Sequence, residues 1–455
     1  MLKCLTFVVF IVVATQHAAF AADTASSKQL SLLEIYQLAK ANDPTLASAS
    51  SANLAAQELI EQGKALYRPT VNFSANASAS QTDLKYTGAG FNAFRNEGRQ
   101  NFEGYNYGVE ARQPIYRKQN LVQMDQSKTQ VSIADKQYHL AQQALILRTT
   151  QAYFDVLIAQ DKLALIGAQK TAILSQLEQA KANFDVGTAT ITDVNEAQAR
   201  YDLMVAQEVA SQNEIQIAQR AIQLLTNEIP QTLATVKSDI QVQPLNKAMQ
   251  DWQQVAFENN LNILIQQDAA KLAEQEVART NAGHLPTLDA VASYGSNYSN
   301  GGTSGVGNDL QNATIGLQLQ VPIYHGGAIS SRERQAVLNK KKALDDIEIA
   351  RRQTDLDTQR AYFNLDTSIA QVKALEQALI SSQSQLDSTK LGYEVGVRTS
   401  VDVLNAQQQL FAAKRDLLQA RYAYLVNIIR LKTATGIVSE PDLQDINQQL
   451  VAAPQ

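Results

Sequence analysis

The chain has 455 residues, a formal net charge of −5, 18% charged residues and a single cysteine. This balance carries no basic footprint for nucleic acid, and one cysteine supports neither an intrachain disulfide nor a thiolate metal cluster. Length alone suggests about three domains, but an echo at an offset of 209 residues argues for two long halves.

Residues 1–21 read as a secretory signal: Lys3 is the only charge, Leu5 to Ala14 is almost wholly apolar, and Ala19-Phe20-Ala21 is a small-x-small cleavage site. The apolar run is too short to span a bilayer. Cys4 precedes it, so cleavage leaves a thiol-free chain with 38 basic and 44 acidic residues, a net charge of −6. After the signal no run of 18 apolar residues occurs. If the mature chain crosses a membrane, it does so with strands.

From Ser31 to Arg68 the pattern is helical, with a break at Asn42-Asp43-Pro44, where the residue before proline is pushed out of helical geometry. Val71 to Ser80 then alternates strictly in twos over about ten residues, and Tyr105, Tyr107, Val109 and Ala111 alternate with polar neighbours in the same way. The polar stretch Gln81 to Gly104 reads as a long loop between the two strands, in a hairpin of about residues 70–113. A second hairpin, about residues 287–321, carries Leu288, Ala290, Ala292 and Tyr294 on one strand and Ala313, Ile315, Leu317, Leu319 and Val321 on the other, around the loop Asn300 to Gly307. Short alternating strands with tyrosines near their ends, following a signal, are the pattern of a membrane β-barrel. Four strands leave two open edges, which lipid does not tolerate. The wall must therefore be shared: two, three or four chains give even strand numbers, and a pipe favours three or more, because eight strands are nearly filled by their own side chains.

Each hairpin leads into a very long helical tract. Residues 118–184 contain one glycine and 328–391 contain neither Gly nor Pro, so each tract can reach roughly 100 Å at about 1.5 Å per residue. Both end in a repeated phrase: Phe184-Asp-Val-Gly187-Thr-Ala-Thr190-Ile-Thr-Asp193 returns as Tyr393-Glu-Val-Gly396-Val-Arg-Thr399-Ser-Val-Asp402. Gly187 and Gly396 can end one helix in a left-handed conformation, Thr190 and Thr399 can cap the next, and Asp193 and Asp402 stand where a capping-box partner belongs. The echo extends to Gln113-Pro-Ile-Tyr116 with Val321-Pro-Ile-Tyr324, and to Ala152-Tyr-Phe154 with Ala361-Tyr-Phe363. On the returning helix of the second copy, Val403, Ala406, Leu410, Ala413, Leu417, Ala420 and Tyr424 form a coiled-coil seam, with Leu404, Phe411, Leu418 and Leu425 in a second stripe beside it. Two stripes predict two neighbours. In the first copy Glu208 and Ser211 interrupt the equivalent seam.

The resulting division is a first repeat over 22–228 with its tip at 184–193, a mixed connector over 229–252, a second repeat over 253–435 with its tip at 393–402, and a tail over 436–455 expected to pack on the connector. Enzyme chemistry is not visible: His139, His284 and His325 stand apart from one another, with no paired metal-ligand motif, and the glycine-rich loop near Gly301 lacks the Lys-Ser/Thr of a phosphate loop. Neither a cofactor nor a metal is expected. The residues leave open a secreted coiled-coil scaffold or surface-binding protein as the alternative to a channel.

The duplicated tips, the Ala-Tyr-Phe pair, His284-Leu-Pro-Thr-Leu-Asp289 and Val321-Pro-Ile-Tyr-x-Gly326-Gly327 together resemble the TolC-type outer-membrane channel-tunnel family, the outer membrane efflux proteins. The resemblance implies an α+β membrane protein: a homotrimer whose 12-stranded barrel, four strands per chain, sits in outer-membrane lipid. An α-helical coiled-coil barrel crosses the periplasm, belted by a mixed α/β equatorial region. It also implies an exit duct for drugs or proteins, joined through a periplasmic adaptor to inner-membrane transporters of RND, ABC or MFS type. At residue level it implies a selective constriction at Asp402 and, where a second acid is expected, Asn405. It implies a latch of Tyr393 and Arg398 against Thr192 and Asp193 of the neighbouring tip, and adaptor docking at Val186, Gly187, Val395 and Gly396.

Overall fold

The computed structural model describes residues 29–85, 98–230, 232–237, 240, 242–301 and 306–451. The signal assigned to residues 1–21 and the middle of each hairpin loop lie outside the described residues.

The predicted break at Asn42-Asp43-Pro44 separates α1 (Leu32–Asn42) from α2 (Pro44–Ala65). Asp43 stops one helix and starts the next, its Oδ1 accepting the Thr45 and Leu46 amides at 2.6 and 3.2 Å. Then come strands β1 (Thr70–Leu84) and β2 (Gly98–Tyr116), followed by the long hairpin of α3 (Lys118–Asp185) and α4 (Ile191–Thr226). The connector holds the short strand β3 (Thr235–Val236). The second half repeats the plan with α5 (Met249–Asn259), α6 (Leu261–Asn281), β4 (Thr287–Ser299), β5 (Asn308–Gln320), α7 (Ala328–Glu394) and α8 (Ser400–Ala434). Helices α1 and α5 are each 11 residues long and start 217 residues apart. The tail forms α9 (Glu440–Asn447) and β6 (Leu450–Val451), and β6 pairs antiparallel with β3, so tail and connector do meet.

The four long strands form one antiparallel sheet in the order β1-β2-β4-β5. They are longer than the ten residues expected, at 15, 19, 13 and 13. Polar residues such as Gln81, Thr82, Gln100 and Asn101 continue the pleat beyond the point where hydropathy alternates, so the strands take 81–84 and 98–104 from the stretch read as loop. The register sorts the faces. Val71, Ala111, Ala292 and Ile315 lie in one row across the sheet, and Phe73, Val109, Tyr294 and Ala313 in another. The alternate rows are Asn72, Glu110, Ser293, Thr314 and Ser74, Gly108, Gly295, Asn312. One face is apolar and the other polar, while β1 and β5 keep free edges.

Where strands turn into helices, Asp289 on β4 accepts the Arg117 guanidinium, at 2.8 Å from Nε and again from Nη2, with Arg112 Nη1 at 3.4 Å. Its side chain is 5% exposed and that of Arg117 34%. Asp289→Ala is expected to destabilise the chain by about 2 kcal/mol, less than the ~3–5 kcal/mol of a fully buried broken pair because Arg117 can rehydrate. A lowered thermal midpoint in detergent checks this, and an unchanged midpoint contradicts it.

Below the sheet, α3 is flanked by α2 and α6 nearer the strands and by α4 and α8 nearer the tips, and α7 packs first on α6 and then on α8. Each level thus presents four helices. Asn260 joins the two levels: its Oδ1 caps α6 at the Asn262 amide, 2.9 Å away, while its Nδ2 donates to the Ala434 carbonyl at the end of α8, at 2.8 Å. The main core lies at this belt, with Tyr153 and Phe154 wholly buried against residues of α1, α8 and the connector. Tyr153 Oη donates to the Ala234 carbonyl at 2.7 Å, and burial pushes its pKa up. The equivalent Phe363 of the second copy is 54% exposed, so the two copies have diverged here.

The two-stripe reading of α8 holds. All seven residues of the main seam are buried, and Val403, Ala406 and Leu410 pack with Leu386 of α7. Leu404 packs the other way, with Ile173 and Leu177 of α3 and Ala197 and Met204 of α4. In the first copy the polar interruption is absorbed differently at its two positions: Glu208 accepts Lys170 of α3 at 2.5 Å, whereas Ser211 is buried in the seam.

Candidate functional site at the helix tips

Both helix hairpins end in the same construction. After α3, the Thr188 and Ala189 amides donate back to the Asn183 carbonyl at 2.8 and 3.2 Å; after α7, the Val397 and Arg398 amides donate to the Gly392 carbonyl at 2.9 and 3.1 Å. This return bonding requires a left-handed residue, supplied by Gly187 at φ +80° and Gly396 at φ +81°. Thr190 and Thr399 then cap α4 and α8 through complete capping boxes. Asp193 Oδ2 accepts the Thr190 amide and hydroxyl at 2.9 and 2.8 Å, and Asp402 Oδ2 accepts those of Thr399, both at 2.9 Å. In each carboxylate one oxygen is committed to the cap. The Thr399 donors, with Arg398 nearby, hold the Asp402 carboxyl below the usual carboxylate range, so its charge persists into mild acid.

The tips are pseudo-equivalent but not identical, and the differences lie where the two hairpins meet. Asn183 Nδ2 donates to Tyr393 Oη at 3.3 Å, tying the first tip to the second. The position equivalent to Asn183 is Gly392. A β-carbon there would stand 2.8 Å from Arg398 Cγ, so the glycine makes room for the arginine to lie across the helix end. Within one chain, then, Tyr393 reaches the first tip through Asn183. No hydrogen bond joins Arg398 to Thr192 or Asp193 among the described residues, and Thr192 is exposed. Val186, Val395 and Val397 project into solvent beside the two glycines. Asn405 lies about one turn beyond Asp402 on α8 and accepts Arg200 Nη2 of α4 at 2.9 Å.

Sequence reasoning missed Asn183, Gly392 and Arg200. The 209-residue echo pairs Asn183 with Gly392 directly before the repeated phrase, and that mismatch was the available signal. Arg200 had none, because its partner is 205 residues away. Among the described residues no helix is long and apolar enough to cross a membrane, and no group of His, Cys, Asp and Glu is placed to hold a metal ion.

Helices of about 100 Å, over three times the thickness of a bilayer's hydrocarbon core, joined to a sheet with one greased face and two open edges, are the parts of a membrane channel. The comparisons agree. A family model described as outer membrane efflux protein matches residues 35–228 and 252–437. The chain is 33% identical to the outer membrane protein TolC of Vibrio cholerae over 93% of its own length and 94% of that protein's. It is 29% identical to the alkaline protease secretion protein AprF of Pseudomonas aeruginosa, over 93% and 88% of the two lengths. The crystal structure of the Campylobacter jejuni CmeC outer-membrane channel superposes with a TM-score of 0.76 at 17% identity, covering 92% of this chain and 89% of that one. The chain belongs to the outer membrane efflux protein family. It is an outer-membrane exit duct for efflux and secretion, in a family of channels and not of enzymes.

Proposed function

We propose that three copies close into a twelve-stranded barrel in outer-membrane lipid, continued by a twelve-helix tunnel whose tips form a gated periplasmic entrance. The observation that carries this reading is the sheet, with four strands, an apolar face and free edges at β1 and β5. Three such sheets abolish every edge, and four helices at each level of one chain become twelve. The exposed apolar residues of α4 (Leu203, Val209, Ile217 and Leu224) and of α7 (Leu338, Ile349, Leu356 and Ile380) lie on the two outermost helices of the chain, where neighbouring copies would cover them.

The duct itself is passive. An inner-membrane transporter of RND, ABC or MFS type supplies the energy, and a periplasmic adaptor docks on the tips around Val186, Gly187, Val395 and Gly396. The likeness to TolC and to a protease secretion protein supports both small toxic molecules and proteins as cargo. Tyr393 and Arg398 with Thr192 and Asp193 form the latch between tips, completed by a neighbouring copy, and three Asp402 carboxylates ring the entrance. Convergence of three like charges favours cations there. Asp402→Asn is therefore expected to move the reversal potential of single channels in a KCl gradient toward zero. An unchanged reversal potential would remove Asp402 from the constriction.

A further inference from the structure

Asp402 and Asn405 lie three residues apart on α8, so they share a face about one turn apart. At the level of Asn405 the structure adds a cation that belongs to a different helix. Arg200 of α4 donates from Nη2 to Asn405 Oδ1 at 2.9 Å and from Nη1 to Gln408 Oε1 at 3.5 Å. On its own helix it is held by Glu196, whose Oε1 accepts Nε at 3.0 Å and Nη2 at 2.8 Å. The Arg200 side chain is 21% exposed, against 40% for Glu196. With Lys162 and Arg415 it lines a groove of about 290 Å³ between α3, α4 and α8.

This geometry does two things. It ties α4 directly to α8 within a few turns of the tips, across the boundary between the two hairpins. It also places a guanidinium where the face that begins with Asp402 would otherwise present only the Asn405 amide. At the tip the Asp402 carboxylate stands beside Arg398, while at the level of Asn405 the charges of Glu196 and Arg200 cancel.

We propose that Arg200 is a second determinant of closure and ion selectivity at the entrance, clamping α8 to α4 and neutralising the level above Asp402. The proposal rests on the placement of Asp402 at the entrance. Three copies of the clamp must release together for the α7–α8 hairpins to move away from α3–α4. Asn405 suits the clamp because an amide oxygen accepts from arginine without adding charge.

Single-channel recording of the purified protein in planar bilayers, under a KCl gradient, tests this. Arg200→Ala and Arg200→Gln are each expected to raise conductance at least threefold, since a part-exposed charged contact worth ~0.2–1 kcal/mol occurs three times around the entrance, and to shift the reversal potential toward that of potassium. Asn405→Asp should increase cation selectivity more in the Arg200→Ala background than in the parent, because in the parent Arg200 pairs with the introduced carboxylate. Unchanged conductance and reversal potential in both Arg200 variants, while Asp402→Asn still moves the reversal potential, would overturn the role of Arg200 and leave the entrance in place. An equal effect of Asn405→Asp in the two backgrounds would do the same. If Asp402→Asn is silent as well, the entrance assignment fails first and takes this one with it.

Discussion

Ile315→Arg is expected to abolish accumulation of the assembled protein in the outer membrane, whereas Thr314→Arg, one residue away, is expected to leave it nearly intact. Ile315 stands near the middle of β5 and is 91% exposed in the single chain. Its row across the sheet is Val71, Ala111 and Ala292, all apolar, so this face meets lipid at mid-depth. An arginine on the lipid face near the midplane costs about 2–4 kcal/mol. In a trimer the cost falls three times on one barrel, which rivals the ~5–15 kcal/mol stability of an ordinary domain. Thr314 occupies the opposite face, in the row of Asn72, Glu110 and Ser293, where a charge meets water. Membrane fractionation with unheated gel electrophoresis reads both variants. Equal accumulation would mean that the apolar face is not the lipid face.

The second large effect is expected at the tips. Tyr393→Phe removes the acceptor for Asn183 Nδ2, and Arg398→Ala removes the side chain that lies over Gly392. The Tyr393 hydrogen bond and the latch contact proposed for Arg398 are each worth roughly 0.5–1 kcal/mol net, and each would occur three times around the entrance. Together the two substitutions should shift the closed–open balance by about 3 kcal/mol or more, which raises the open population over tenfold where the closed state dominates. Single-channel conductance in planar bilayers should rise for each variant and most for the pair. Conductance unchanged in both would take these residues out of the latch. The tyrosine also packs against the cluster of Leu386, Val403, Ala406 and Leu410; phenylalanine keeps that contact, so this variant isolates the hydroxyl.

What the sequence disclosed was local. A glycine three residues before a threonine, with aspartate three residues later, specifies a helix end and a helix start through bonds spanning fewer than ten residues, and both tips formed as expected. The seam of α8 was equally legible, since its periodicity is a property of one helix. The strand ends were not, because polar stretches such as 81–83 and 99–101 carry no hydropathy alternation to read even when the register continues through them. Distance in sequence hid the rest. Asn183 finds Tyr393 across 210 residues and Arg200 finds Asn405 across 205, contacts that exist only once two hairpins stand side by side. The duplication does not carry over at one pair: Phe154 is closed in beside Tyr422 of α8, whereas its counterpart Phe363 on α7 is half exposed in the single chain.

The shared wall can be weighed directly. Native mass spectrometry of the protein extracted from outer membranes in mild detergent should give a particle of three chains, with no monomer that stays monodisperse once detergent is removed. A single chain, soluble without detergent and indifferent to lipid, would contradict the channel at its foundation.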